Sequence, residues 1–348
     1  MGGAGVGATG GMGGAGGASA PDWWNTSYQR RARFSLDSPI ELTNLPLRLT
    51  LASPDIPVGQ SKGGGDDLRV LAADDATELP FEVERWSPQE GTVWVLVPTL
   101  PAGSSELFVY FDGPITQASN PDAVWANHSA VYHFSNGTKD SGPLGIDGND
   151  DVGSQAGYVA LGGKLTSVSN VEIETNPALW LAPGASVSYE AWFARADAAN
   201  SGRLFGVGDC CTNGFRVSIA SDGVVAASVG QDTCCVPSGA PSAVASAALP
   251  LGAIDVDWHS LVVVLDGAAG GGLQLYLDGE LASVHEPLPA PLDSPPFFSL
   301  GGSLGTSLTG TLDELRVVPR ALGVEEVAAR VAATRGDFVA GVVAEVAP

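Results

Sequence analysis

Positive charge is scarce in this chain. Its 348 residues carry 16 Lys and Arg against 39 Asp and Glu, a formal net charge of −23. That field repels a phosphate backbone and argues against nucleic acid as a partner. Long apolar runs are also missing. No stretch reaches the about 18 apolar residues that mark a spanning helix, so no transmembrane segment is expected. Charged residues are only 16% and hydrophobic residues 44%, which is not the composition of a disordered chain. The length suggests about two domains, each large enough to bury a core.

Cysteine is limited to four residues in two adjacent pairs, Cys210-Cys211 and Cys234-Cys235. Neither pair has the Cys-x2–4-Cys spacing of a zinc site or the Cys-x-x-Cys spacing of a redox motif. Adjacent strand residues also point to opposite faces, which separates the two thiols of each pair. A secretion leader is not evident. MGGAGVGATGGMGGAGGASA (1–20) has neither the basic start nor the apolar run of a signal peptide. Val6 stands where a myristoylation signal needs Ser or Thr. Residues 1–20 read as a flexible Gly/Ala linker. The expectation is that Met1 is an artificial start, or that a secretion or lipid anchor once preceded this linker, which nothing in the chain itself shows.

After Pro21 the chain turns into short β-like runs broken by Pro, Gly, Asp and Asn. Thr92–Pro101 (TVWVLVPTLP) and Ser105–Gly113 (SELFVYFDG) are rich in Val, Trp, Phe and Tyr and end at turn residues. His259–Gly267 reads as a buried strand. Leu273, Leu275 and Leu277 share one face ahead of an Asp278-Gly279 hairpin turn. Helical spacing occurs only in RALGVEEVAARVAAT, through Leu322, Val327 and Val331. The expected fold class is all-β: two β-sandwich domains with a short C-terminal helix. The polar segment Gly113–Ala123 separates a first domain (21–120) from a larger second one (121–335), followed by a tail (336–348).

The cysteine pairs flank a hairpin centred on Ser221-Asp222-Gly223. A two-residue Asp-Gly loop places Cys210 opposite Cys235 and Cys211 opposite Cys234. The side-chain pattern favours a loop one residue longer, with Gly223 left-handed, because Phe215, Val217 and Ile219 then share a face with Val225, Ala227 and Val229. Connectivity stays open, a vicinal bond included; cross-hairpin bridges Cys210–Cys235 and Cys211–Cys234 are the expectation. The first would contribute roughly 3 kcal/mol and require an oxidising compartment.

Asp66–Pro114, with DLRV, LPFEVERW, VWVLVP and FVYFDGP in order, closely resembles a bacterial extracellular domain of unknown function whose usual pattern is DLRF, LPYEIE-W, VWVKVP and YYGNP. Leu96 replaces the pattern's Lys, and Phe111-Asp112-Gly113 replaces its YGN turn. The second block is similar to a laminin-G-like, concanavalin A-like jelly roll through AVYHFSNGTKDSGPLG (Ala130–Gly145), SVSYEAWFA (Ser186–Ala194), DWHSLVVVLDG, LQLYLDGEL and GTLDELRVVPRAL (Gly310–Leu322). The resemblance implies a module in an extracellular, cell-surface or periplasmic setting that binds a glycan or a surface protein. Some members of the first family accompany proton-channel proteins of biopolymer-transport complexes, which implies a scaffolding alternative.

Similar jelly rolls often carry a structural calcium, and the resemblance points to Asp140 and Asp313 as its ligands. Asp313 would share a strand face with Leu315 and Val317. If that face is the core, its charge needs a cation or donors. The oxygen-rich loop Lys139–Asp151 is not an EF-hand, because Val152 stands where Gly is needed.

Hydrolases of this fold need two flanking carboxylates. Glu190 with Asp197, Glu172 with Glu174, and Asp313 with Glu314 are the available pairs, and none reproduces the Glu-x-Asp-x-x-Glu arrangement of the related glucanases. His128 and His133 lie near Ser129 and Ser135 without a nucleophile elbow, and His259 reads as a half-buried strand residue. Trp192, Trp258 and Tyr276 read as core, Trp180 as exposed near a turn, and Trp23 and Trp24 as an opening strand of the first domain.

Overall fold

The computed structural model describes residues 23–149, 152–173, 176–180, 184–207, 213–231, 242–248, 256–268, 271–288, 298–302 and 307–348. The first lobe contains β1 (Arg30–Ser38), β2 (Leu42–Ala52), β3 (Arg69–Leu71), β4 (Phe81–Trp86), β5 (Glu90–Leu100) and β6 (Gly103–Phe111). One turn of helix, α1 (Pro121–Val124), leads out of it, capped by Asn120 accepting from the Ala123 amide.

The second lobe runs through β7 (Ala130–Tyr132), β8 (Gly153–Ala156), β9 (Leu161–Leu165), β10 (Asn170–Ile173), β11 (Ser186–Arg195), β12 (Gly202–Val207) and β13 (Asn213–Ile219). It continues through β14 (Val224–Gln231), β15 (Ser242–Ala248), β16 (His259–Asp266), β17 (Leu273–Leu277), β18 (Glu280–His285), β19 (Phe298–Gly301) and β20 (Gly310–Val318). Helix α2 (Val324–Arg335) and strand β21 (Val339–Val346) follow.

Each lobe is a sandwich of two antiparallel sheets. In the first, β21-β1-β6-β3 packs on β2-β5-β4. In the second, β10-β19-β12-β13-β14-β15 packs on the larger sheet β18-β17-β16-β11-β20-β9-β8, with β7 also paired to β20. Period-two alternation builds both cores. Val93, Val95 and Val97 of β5 point into the first, and Tyr189, Ala191 and Phe193 of β11 into the second.

The expected tail is instead β21. It pairs antiparallel with β1 from Arg30↔Val346 inward, and Phe338 just before it is buried in the first core. Residues 21–120 therefore do not complete the first sandwich alone. Its final strand arrives after the jelly roll, because Val339 and Val342 supply apolar contacts on an otherwise open edge of β1.

Helix α2 is wedged between the lobes. Val327 and Val331 pack with Leu322 on the outer face of the large sheet, beside Trp192, Val262, Val264 and Tyr276. Ala329 and Ala333 face the other way, into the first lobe's core. Small side chains there let the helix approach closely. Gly336 ends it in the left-handed conformation (φ 85°), with its amide on Ala332 O.

The β13–β14 hairpin takes the longer loop. Ile219 faces Val225 and Phe215 faces Val229, with Gly223 at φ 85°. Side-chain facing prevails over the two-residue turn because a slip of one residue would reverse every inward Val and Phe. The two-residue register behind the Cys210–Cys235 and Cys211–Cys234 pairing is thus not the one formed. The four cysteines themselves lie outside the described residues. The Asp278-Gly279 turn forms as expected, with both residues at positive φ (55° and 91°) and Leu277 opposite Glu280.

Candidate functional site: a buried charge network between the lobes

The outer face of β4 and β5 meets the outer face of β7, β11 and β20. Alternation decides what is delivered there. In β4, Phe81 enters the first core and leaves Glu82 and Glu84 facing out; Trp94 faces the same way from β5. In the second lobe, Tyr132 and Phe134 enter the core, so His133 points to the seam. Glu190 alternates outward between Tyr189 and Ala191. A bulge in β20 opposite β11 places Glu314 at φ 50°, and Leu312 and Leu315 both reach the core. Holding a non-glycine residue left-handed costs roughly 1–2 kcal/mol.

His133 sits at the centre, its side chain 5% exposed. Its Nδ1 lies 2.8 Å from Glu314 Oε1 and 3.9 Å from Glu84 Oε2, and its Nε2 lies 3.2 Å from Glu82 Oε2. Ser135 Oγ donates to Glu84 Oε1 at 2.6 Å, and Trp94 Nε1 donates to Glu84 Oε2 at 2.9 Å. Glu82 accepts from Ser141 Oγ at 2.7 Å and from Trp125 Nε1. Arg316 pairs with Glu314 and lies 3.8 Å from Glu190, its guanidinium 4.4 Å from the Trp94 ring centroid and 4.9 Å from that of Trp125. Arg330 of α2 donates to Glu190 and, through Nη2, to His128 Nε2 at 2.6 Å.

These contacts set the protonation states. Burial opposes charge on His133, but the carboxylates of Glu314 and Glu82 outweigh it and hold the imidazole well above its usual range. Burial would raise Glu314, yet His133 and Arg316 hold it at about 2. Burial and the Glu314 charge push Glu84 up to about 7. Burial, and then the neighbouring guanidiniums, keep His128 neutral. Its Nε2 accepts from Arg330, so the proton is on Nδ1. A cleft opens at the rim of the seam, lined by Leu42, Leu45, Val124, His128, Arg320 and Arg330.

The expected calcium ligands sit elsewhere and do different work. Asp140 accepts three backbone amides, from Val131, Gly142 and Ile146, and shapes the loop after β7. Asp313 does not share a face with Leu315 and Val317, because the bulge at Glu314 reverses the alternation. It is fully buried and accepts from the amides of Val159 and Glu314. Desolvation, then the Glu314 charge, raise it well above the carboxylate range. A hard cation wants six or more oxygens; backbone amides occupy these two carboxyls in the structure. Among the described residues, one set of three His, Cys, Asp or Glu side chains brings ligand atoms within 4.8 Å of one another: Glu84, His133 and Glu314.

The hydrolytic pairs are not assembled. Glu190 is held by Arg330 and Arg316 inside the seam, while Asp197 is exposed in a turn and accepts from Ala199 and Asn200. Glu172 lies on β10, and Glu174 is outside the described residues. Ser135 serves Glu84 rather than a histidine base. His259 bonds Asp278 at 2.8 Å. Trp192 and Tyr276 are buried beneath α2, with Trp258 partly buried against them. Trp180 is partly buried against the jelly-roll core. Trp23 and Trp24 form no strand; they pack on Tyr28 and Tyr110 ahead of β1.

Sequence reading missed the seam. Its acids and His133 lie at alternate positions of strands, where polar residues ordinarily face water. The one available signal was that LPFEVERW, AVYHF and LDELRV place charges at the outward positions of strongly apolar strands.

Residues 165–328 match the concanavalin A-like lectin/glucanases superfamily of laminin-G type, and residues 64–142 match a domain of unknown function, DUF2341. The second match runs past β6 into β7 and its loop, so it takes in Glu82, Glu84 and His133 together. No curated protein matches the chain. Among solved structures, the chain is similar to domain 4 of AbnA, a GH43 extracellular arabinanase from Geobacillus stearothermophilus, in complex with arabinotriose. Identity is 18% over 59% of this chain and 98% of that one, with a TM-score of 0.45. It is also similar to the botulinum neurotoxin type G receptor binding domain, at 15% identity over 59% of this chain and 51% of that one, TM-score 0.43. The chain spans about half the length of the neurotoxin binding domains it matches.

Proposed function

We propose that this chain, a DUF2341-type lobe followed by a concanavalin A-like jelly roll, is a non-catalytic binding module displayed outside the cytosol, at a cell surface or in the periplasm. The jelly roll recognises a glycan or a surface protein. The observation that supports this reading best is the state of Glu190. This carboxylate, the strongest catalytic candidate on the jelly-roll strands, is clamped by Arg330 and Arg316 and buried beneath helix α2. A glycosidase acid must reach the scissile bond.

The large sheet is covered by α2 and the first lobe, and among the described residues the outer face of the six-stranded sheet carries exposed and half-buried side chains on β13 and β14. Arg216, Ser218, Ala226 and Ser228 project there, opposite the inward Val and Phe residues of the same hairpin. Small polar side chains beside a guanidinium suit a ligand rich in hydroxyl or carbonyl oxygens. Calcium at Asp140 and Asp313 is not part of this reading.

A glycan array and a surface-protein pull-down with the whole chain test it. Binding in one arm, weakened at least tenfold by Arg216→Ala, is the expected result. Silence in both arms removes the binding reading and leaves the scaffold alternative, which the rigid seam favours. Release of reducing ends from a polysaccharide panel, abolished by Glu190→Gln, would overturn the non-catalytic assignment.

A further inference from the structure

We propose that Glu84, His133 and Glu314 form a structural site for a divalent cation of the zinc type, bound where the two lobes meet. Three features of the geometry carry it. The first is the ligand set itself. One imidazole nitrogen and two carboxylate oxygens, from β4, the segment after β7 and β20, lie within 4.8 Å of one another. The Nδ1 distances to Glu314 Oε1 and Glu84 Oε2 are 2.8 and 3.9 Å. They bracket the roughly 3.3 Å between two ligand atoms of a tetrahedral ion with bonds of about 2.0 Å. Small opposite shifts of two carboxylates would seat the ion against these three ligand atoms.

The second feature is the outer layer. Metal-bound histidines nearly always donate their other ring nitrogen to a carboxylate or carbonyl. His133 Nε2 already lies 3.2 Å from Glu82 Oε2, and Glu82 is itself fixed by Ser141 and Trp125. Both candidate carboxylates are oriented as well, Glu84 by Ser135 and Trp94, and Glu314 by Arg316. All three candidate ligands are thus positioned by further hydrogen bonds, as a preorganised site requires.

The third is charge. Glu82, Glu190 and Glu314 already have His133, Arg316 and Arg330 as cationic partners, and Glu84 is the further carboxyl of the cluster, with no guanidinium of its own. Glu84 and Glu314 stand side by side with side chains only 1% exposed. A divalent cation between them would let both carboxylates be charged side by side where no solvent can screen their repulsion. One imidazole and two carboxylates suit zinc, manganese or cobalt rather than the oxygen-only shells of calcium. The site has no open face, so the ion would act in holding the lobes together and would enter as they dock.

Refolding the full chain from denaturant with zinc, or with cobalt(II) as a spectroscopic probe, tests the proposal. Metal content after chelator washing and the melting temperature are the readouts. Glu84→Gln is the discriminating variant. Gln can keep its amide oxygen on Trp94 Nε1 and donate its NH2 to the Ser135 hydroxyl, which also accepts, but supplies no anionic ligand, so the metal-free variant should fold with the wild-type circular-dichroism spectrum. Expected for wild type is one retained equivalent per chain, a raised melting temperature and cobalt bands of a nitrogen/oxygen shell. In Glu84→Gln, affinity should fall at least tenfold and the thermal shift disappear. Wild type that holds no metal overturns the proposal. So does equal retention in Glu84→Gln, or sulfur-to-cobalt charge transfer, either of which places the metal elsewhere, the cysteines included.

Discussion

Arg316 of the jelly roll lies over the ring of Trp94 of the first lobe, guanidinium carbon to ring centroid 4.4 Å, while its Nη2 holds Glu314 beside it. One side chain thus crosses the seam through the Trp94 ring while its charge is held by carboxylates of its own lobe. Replacing it with Met should leave Glu314 with His133 as its cationic partner and cost about 3 kcal/mol, the low end for breaking a buried pair. Arg316→Lys keeps the charge and loses the planar fork, so it should fall between Met and wild type. Urea unfolding measures both. A Met variant within about 1 kcal/mol of wild type would show that the pair adds little.

Helix α2 touches the first core through alanines. Ala329→Leu and Ala333→Leu each force extra volume into a filled contact and should cost about 1–3 kcal/mol. Leu at the exposed Val324 (54% exposed) should change stability by less than about 0.5 kcal/mol. Thermal melts of the three variants provide the comparison.

Ending the chain after Asp337 removes Phe338 and all of β21. The loss of Phe338 packing alone is expected to cost about 3–5 kcal/mol, and the bared edge of β1 should invite self-association. Size-exclusion chromatography and limited proteolysis should show a first lobe cleaved quickly while jelly-roll fragments persist. An unchanged digestion pattern would mean that β21 is dispensable.

Asp278 should make stability depend on acid. Burial would raise its carboxyl, but hydrogen bonds from His259 and the Ser260 amide, and the charge of Arg335, hold it below its usual range. A depressed carboxylate contributes stability that is complete above the unfolded value near 3.9 and is lost as pH falls through the lower folded value. Asp278→Asn keeps a residue that tolerates the left-handed turn. It should destabilise by about 1 kcal/mol at pH 7, discounted for partial exposure, and hardly at all in strong acid. Equal destabilisation at both extremes would assign the effect to turn geometry instead.

Strand content, the order of the two lobes and helix α2 could be read in the sequence because each rests on local periodicity. Leu322, Val327 and Val331 announced the helix face that now lies on the large sheet. Longer-range facts were hidden. Val339–Val346 alternates too weakly to announce an edge strand, and its partner β1 lies some 300 residues away. The face of Asp313 was misread because a bulge at Glu314 inserts one residue into the alternation, and Glu carries no mark of a left-handed conformation. His133 and Glu84 looked like solvent-facing positions on separate strands. Only the docking of two sandwiches turns their polar faces into an interior.

The chain leaves the first lobe after β6 and returns to it as β21, so Arg30 and Val346 are rungs of the same ladder. Tension applied between Arg30 and Val346 would load that one rung and pull the two strands apart like a zipper. None of it would pass through the jelly roll. The jelly-roll lobe therefore hangs outside the line of force and keeps its shape while the two strand ends are strained.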